Sequence, residues 1–244
     1  MCKSDNKNYE SVFEAANQGN ADAQYELALM YYHGDFDAEG AATHDYDIQA
    51  FEWCGKAADQ GHADAQFTLG IMHFRAGGQK NEAIAIDFYN KAADQGHANA
   101  QHIIAQRFYE GRFMEQSYTK ALEYYKKAAL QNIVEAQITL GDMYKDGKGT
   151  EQSYEEAFKW YQRAVGFDNA EAQSLLAEMY CHGKGTEQSY EEAFKWYQKA
   201  ANQYNVNGLI GLGWMYYNGK YVLKDEKKAL ELYRKAIDSS EVPF

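Results

Sequence analysis

Proline is nearly missing from this chain. There is one in 244 residues, Pro243. Because proline removes a backbone donor and clashes with the preceding turn, its scarcity leaves almost the whole chain free to be helical. Cysteine is scarce as well. Cys2, Cys54 and Cys181 are odd in number and fall at unrelated places, so no disulfide framework follows, and none of the common Cys/His zinc spacings is present. Basic charge is in deficit, with 24 Lys and Arg against 36 Asp and Glu and a formal net charge of -12. That balance argues against nucleic acid and anionic membrane surfaces. It is compatible with a basic partner, or with solubility alone. No apolar run approaches the roughly 20 residues of a membrane span, so no transmembrane segment is expected.

What is present is repetition. Gly147–Gln162 reads GKGTEQSYEEAFKWYQ and recurs letter for letter at Gly183–Gln198, a shift of 36 residues. Repeats of this length fold as stacked supersecondary units, each burying its apolar face on its neighbours. A half repeat at 7–20 is followed by repeats at 21–62, 63–97, 98–133, 134–169, 170–205 and 206–241. Residues 1–6 form a flexible tether and 242–244 a tail, so 7–241 reads as one repeat domain. Repeat 1 is lengthened by an insertion around 37–44.

Counted from its first residue, each repeat opens with a helix whose third, seventh, eighth and eleventh positions form one stripe. The seventh is Leu or Ile throughout: Leu27, Leu69, Ile104, Leu140, Leu176 and Leu212. The third and eighth are Ala or Gly, which lets a neighbouring helix come close. This stripe is the expected buried face. Gly111, Gly147, Gly183 and Gly219 stop the first helix as left-handed caps. Ser153 with Glu156 and Ser189 with Glu192 read as capping boxes for the second, and Asp45, Asn81 and Asp225 as lone caps. The second helix then buries Ala157, Trp160, Tyr161 and Ala164, with counterparts elsewhere. The last helix is unusually charged and suits a solvated end cap.

The unit pattern is carried by repeat 4 as VEAQITLGDMYKDGKG…AFKWYQRAV and by repeat 2 as ADAQFTLGIMHF…FYNKAADQGH. It resembles the Sel-one-like repeat family, relatives of tetratricopeptide repeats, over about residues 7–240. Gln24, Gln66, Gln101, Gln137 and Gln173 keep the family's glutamine, and Leu209 replaces it. The resemblance implies an all-α, right-handed α/α superhelical solenoid acting as a non-catalytic adaptor for a partner protein or peptide. Some bacterial members resemble immunity proteins that neutralise secreted toxins, and others have been labelled β-lactamase-like. The latter reading rests on Ser117-Tyr-Thr-Lys120, an S-x-x-K match with no accompanying K-T-G or S-D-N. Ser117 also stands at a helix cap, so catalysis is not expected. Gly147-Lys-Gly149 lacks the rest of a phosphate loop. No cofactor or metal site is expected. Met1-Cys2 before the polar Lys3–Lys7 resembles the mature start of a bacterial lipoprotein, with a lipid anchor at Cys2 and a periplasmic location. The other reading is an ordinary cytoplasmic start.

In this family the first helices line the concave groove, so positions that vary while the core does not would face the partner. Positions 5, 9 and 12 share a stripe distinct from the core. In repeats 1 and 2 they are Tyr25, Leu29 and Tyr32, then Phe67, Ile71 and Phe74, an apolar set. Repeat 3 is mixed, with His102, Gln106 and Tyr109. Repeats 4 and 5 are acidic, with Asp142 beside Lys145 and Glu178 beside Cys181. Repeat 6 returns to aromatics, Trp214 and Tyr217. Aromatic residues are common interface anchors. Position 5 is equally suited to filling space between adjacent repeats. Position 9 is expected to face the groove, because Asp142 and Glu178 would be costly to bury unpaired.

Overall fold

The computed structural model describes residues 3–33 and 43–240. Among them are thirteen α-helices, one short 3-10 turn and no strand. They form two compact units, residues 1–115 and 116–244.

The N-terminal unit holds α1 (Lys3–Asn17), α2 (Ala21–His33), α3 (Thr43–Asp59), α4 (Ala63–Ala76), α5 (Gln79–Asp94) and α6 (Ala98–Glu110), each packed on the next. Helix α1 begins at Lys3 rather than Lys7, so most of the expected tether is helical. Nothing between Lys3 and Tyr9 is proline or glycine, and the helix has no reason to stop short. The lipid-anchor expectation at Cys2 and most of the insertion around 37–44 fall outside the described residues. The C-terminal unit holds α7 (Tyr118–Leu130), α8 (Val134–Asp146), α9 (Tyr154–Ala164), a 3-10 turn at Val165–Phe167, α10 (Ala170–His182), α11 (Tyr190–Asn202), α12 (Val206–Asn218) and α13 (Glu226–Ser240). Here α10 touches α12 as well as α11, so the first helices of repeats 5 and 6 lie side by side.

The stripe is the core at positions 3, 7 and 8, whereas the aromatic or histidine at position 11 is only half-buried in every repeat. All six seventh-position residues are buried, as are the small residues at positions 3 and 8. Position 8 shows why size matters. A Cβ built on Gly141 would lie 2.5 Å from the Tyr161 ring, and one on Gly70 would meet Tyr89 at the same distance. The tyrosine of the second helix thus occupies the space that a side chain on the first would need.

The family glutamine is buried and joins repeats. In the N-terminal unit Gln24 donates to the carbonyl of Ala16 at 3.1 Å and Gln66 to that of Ala58 at 3.2 Å. In the C-terminal unit Gln137 donates to Ala129 at 3.0 Å. Each ties the start of one repeat to the last turn of the helix before it.

Capping differs from the expectation in two places. Ser153 and Ser189 do cap α9 and α11, accepting from the backbone N–H of Glu156 and Glu192 at 3.2 Å. The boxes stay half-made, however. The serine N–H groups go to the carbonyls of Tyr144 and Tyr180 at 2.9 Å, so the glutamates have no donor to reach back for. They pair with Lys159 and Lys195 instead. Asn81 is no cap, because α5 starts two residues earlier and the Asn81 amide donates to the Gly77 carbonyl at 2.9 Å, and Asp45 is none because α3 starts at Thr43. Asp225 caps α13 through the Lys228 N–H. That last helix is less fully polar than expected. Leu230 and Ile237 are more than half exposed, and Ile237 borders an apolar pocket of about 350 Å³ with Val206, Ile210 and Tyr233.

Candidate partner-binding site

In the N-terminal unit, position 5 is taken up by packing between repeats. The Tyr25 hydroxyl meets Thr68 Oγ1 at 3.1 Å and its ring lies against His62 at 4.8 Å. Phe67 stacks on His97 at 4.3 Å. These two expected groove residues therefore serve the repeat junctions. The reason is local: the junction needs a flat ring over the histidine that caps the next helix. His62 and His97 each accept from a backbone N–H at 3.2 Å through Nδ1 and turn Nε2 toward Asp22 and Asp64. His102, Leu29, Ile71 and Tyr109 are half-buried, and Gln106 is exposed and bonded to Glu110.

Position 12 is more open in this unit. Tyr32 is 41% exposed and Phe74 39%. Each carries a cation: Arg75 donates to the Tyr32 hydroxyl, and the Arg107 guanidinium lies 5.4 Å from the Phe74 ring centre. The stretch read as purely apolar thus includes basic groups, which sit at positions 13 and 10.

The C-terminal unit divides in two. In repeat 4, Asp142 is half-buried, and its Oδ1 accepts from the Tyr161 hydroxyl at 2.8 Å and from Lys145 at 2.6 Å. Burial, then the Asp142 charge, drives the Tyr161 hydroxyl far above its ordinary pKa. Asp142 and Lys145 answer each other and leave little charge for a partner.

Repeats 5 and 6 are built differently. Between α10 and α12 lies a pocket of about 390 Å³, into whose wall come Glu178, Trp214, Ile210, Leu175, Cys181 and Tyr197. Glu178 is exposed and Trp214 is 37% exposed. Neither side chain has an ion pair, hydrogen bond or ring contact among the described residues. Cys181 is 3% exposed, and burial together with the Glu178 charge pushes its thiol above the ordinary value. It is a wall residue and a poor nucleophile. Tyr217, on the next turn of α12, is half exposed.

The origin of the pocket is a change of two small residues. Tyr197 stands where Tyr161 stands one repeat earlier, but position 8 of its own repeat is Ala177 instead of glycine. With a methyl there, the ring has no room of the kind Gly141 gives Tyr161. It leans on the next repeat, where a Cβ on Gly211 would lie 2.2 Å from it. Sequence reading missed Tyr197, Leu175 and Gly211. The signal was available, since position 6 lies one turn before position 9 on the same helix face, and glycine there occurs only in repeat 6. Ser117, the serine of the S-x-x-K match, accepts from the Lys120 N–H at 3.3 Å and caps α7.

The family model for the Sel1 repeat matches residues 21–62, 63–97, 98–133, 134–165, 170–205 and 206–240. The chain belongs to the Sel1 repeat family. Among solved structures, the protective antigen c5321 of uropathogenic Escherichia coli, which displays an SLR fold, is 29% identical with a TM-score of 0.81. The match covers 94% of this chain and 48% of that one, so the chain spans about half the length of the antigen. A Sel1 repeat protein from Oxalobacter formigenes is 30% identical over 90% of this chain and 86% of that one, with a TM-score of 0.71. A weaker likeness, 21% identical over 92% of this chain and 84% of that one with a TM-score of 0.47, is to the immunity protein PA5088 of Pseudomonas aeruginosa. No curated protein sequence matches. Proteins built of Sel1 repeats generally mediate protein–protein interaction and are typically non-catalytic scaffolds. Among the described residues, no helix is long and apolar enough to cross a membrane.

Proposed function

We propose that this protein is a non-catalytic scaffold that binds a partner protein or peptide along the face presented by the first helices of its repeats. The observation carrying this reading is the α10–α12 pocket, where Glu178 and Trp214 stand exposed without partners among the described residues. Exposed aromatic anchors beside a free carboxylate are the kind of group an interface uses for affinity and orientation. Tyr32 and Phe74 offer a second, separate set of aromatics on the N-terminal unit.

The test is affinity capture from cells of the native organism with the wild-type chain and with Trp214→Ala/Glu178→Lys. Loss of one stoichiometric partner from the double variant supports the reading. Capture of the same partner by both chains moves the interface off this face. Inhibition of a secreted toxin would be the same binding act with a narrower partner class, and the net charge of -12 suits a basic one. Survival of toxin-expressing cells on co-expression distinguishes it from a general adaptor.

A further inference from the structure

The pocket between α10 and α12 has a more definite chemistry than an apolar anchor site. One wall is the indole of Trp214 and another carries the Glu178 carboxylate, both without partners among the described residues. Tyr197, 7% exposed, also lines the pocket, and its hydroxyl makes no hydrogen bond among the described residues. One repeat earlier the matching hydroxyl, on Tyr161, donates to the matching acid, Asp142, at 2.8 Å. The shift of Tyr197 onto Gly211 goes with the loss of that bond, leaving a carboxylate and a hydroxyl without hydrogen bonds in the lining of one pocket. The Glu178 charge reaches Lys145, whose ammonium is held by Asp142 at 2.6 Å, and Lys220, which bears on Cys181, lies over the Tyr190 ring at 5.1 Å.

A free carboxylate, an indole face and an unused hydroxyl together suit one kind of guest. We propose that this pocket receives an arginine side chain of the partner. A guanidinium is planar, stacks on an indole face, and directs several N–H donors outward in its own plane. It can lie against Trp214 while donating to the Glu178 carboxylate and to the Tyr197 hydroxyl oxygen. Its three-carbon stem would run over Ile210 and Leu175, as long charged side chains cover apolar surface. An ammonium presents a point charge and gains less from a flat wall. The negative balance of the chain adds a long-range pull of the same sign.

This proposal rests on the reading of the first-helix face as the partner surface, and the two can fail separately. The experiment is a titration of the full ¹⁵N-labelled chain with N-acetyl-arginine-N-methylamide. It is followed at the Trp214 indole N–H resonance, assigned by its disappearance in Trp214→Phe. The neutral isostere N-acetyl-citrulline-N-methylamide and the lysine analogue serve as comparisons. The expected result is a saturable shift of Trp214, weakened about tenfold by citrulline and about tenfold by Glu178→Gln, as loss of a charge-assisted hydrogen bond requires. Glu178 is exposed, so Glu178→Gln leaves the fold intact. A silent Trp214, equal binding of citrulline or lysine analogue, or indifference to Glu178→Gln overturns the assignment. If Trp214 responds to arginine while Trp214→Ala/Glu178→Lys still captures the cellular partner, the pocket chemistry stands and the partner-surface reading falls. If that double variant loses the partner while Trp214 ignores arginine, only the arginine assignment falls.

Discussion

Gln60 donates from Nε2 to the Oε1 of Gln24 at 2.7 Å, joining the last turn of repeat 1 to the helix that opens it. Gln95 does the same for Gln66 at 2.7 Å, and Gln203 for Gln173 at 3.1 Å. In these three repeats the buried family glutamine gives its amide N–H₂ to one acceptor and takes a hydrogen bond on its oxygen from the end of its own repeat. In repeat 4 the residue at the donor position is Phe167, and Gln137 Oε1 is left buried with no partner. A buried acceptor without a donor costs about 1–3 kcal/mol. Phe167 itself is 52% exposed and gains little where it is. Phe167→Gln should therefore stabilise the chain by about 1 kcal/mol, read as a higher midpoint in chemical denaturation with an unchanged slope. An unchanged midpoint would mean that the orphaned oxygen is satisfied by water.

His97 makes stability depend on pH. Its Nδ1 caps α6 by accepting from Ala100 N–H, and Nε2 faces Asp64 on α4 while Phe67 covers the ring. Burial lowers its pKa from the ordinary 6.5, and the Asp64 charge offsets this only in part. The unfolded chain then binds a proton more readily than the folded one, so stability rises with pH between the two values. The contribution is complete above about 6.5 and is lost as pH falls through the lowered folded value. His97→Asn keeps a cap, because Asn169 and Asn205 cap α10 and α12 in the same way at 2.9 Å. The fall in Tm between about pH 7.5 and about pH 5 should be smaller in His97→Asn than in the wild type. Parallel Tm curves would remove His97 as the source.

The repeat boundaries, the buried stripe and the glycine stops were legible in the sequence because they recur, and recurrence separates a constraint from an accident. Leu140 and Leu176 are in the core for reasons any one repeat would show. The site was only partly legible, because it arises where copies differ in concert. Ala177 and Gly211 are each unremarkable small residues. Together they move Tyr197 across a repeat junction and open the pocket that Glu178 and Trp214 border. Asp142 shows the converse, since its sequence position matches that of Glu178 but Tyr161 and Lys145 have already claimed its charge. Pairing of this kind depends on distances across helices, which spacing along one helix does not give.

Asp142 and Tyr161 should behave as a coupled pair. Tyr161 is fully buried, and its hydroxyl has Asp142 for its acceptor at 2.8 Å. Tyr161→Phe should cost about 1.5–3 kcal/mol, the range for a hydrogen bond to a charged group. Asp142→Ala should cost a similar amount by orphaning both the hydroxyl and Lys145. The double variant should fall short of the sum by about 1 kcal/mol. Strict additivity in a double-mutant cycle would show that the contact contributes nothing to stability.

The two glycines of the recurring G-K-G stretch should respond very differently to the same substitution. Both have positive φ, +65° at Gly183 and +70° at Gly185, so alanine at either carries the left-handed penalty of about 1–2 kcal/mol. Their surroundings differ. A Cβ on Gly183 meets Gln188 Cβ at 3.2 Å and the Gln188 backbone nitrogen at 3.3 Å, a contact that a shift of a few tenths of an ångström relieves. A Cβ on Gly185 would lie 2.1 Å from the carbonyl oxygen of Tyr154, the first residue of α9 in the preceding repeat. Backbone cannot step aside without moving the helix, so Gly185→Ala must separate the loop of repeat 5 from repeat 4. Gly183→Ala should cost about 1–2 kcal/mol. Gly185→Ala should cost at least about 1–3 kcal/mol more, as forced overpacking does. Hydrogen exchange should locate the extra loss in the first turn of α9 and the loop after α10. Equal costs would mean that the loop swings away freely and that this glycine serves only its own turn.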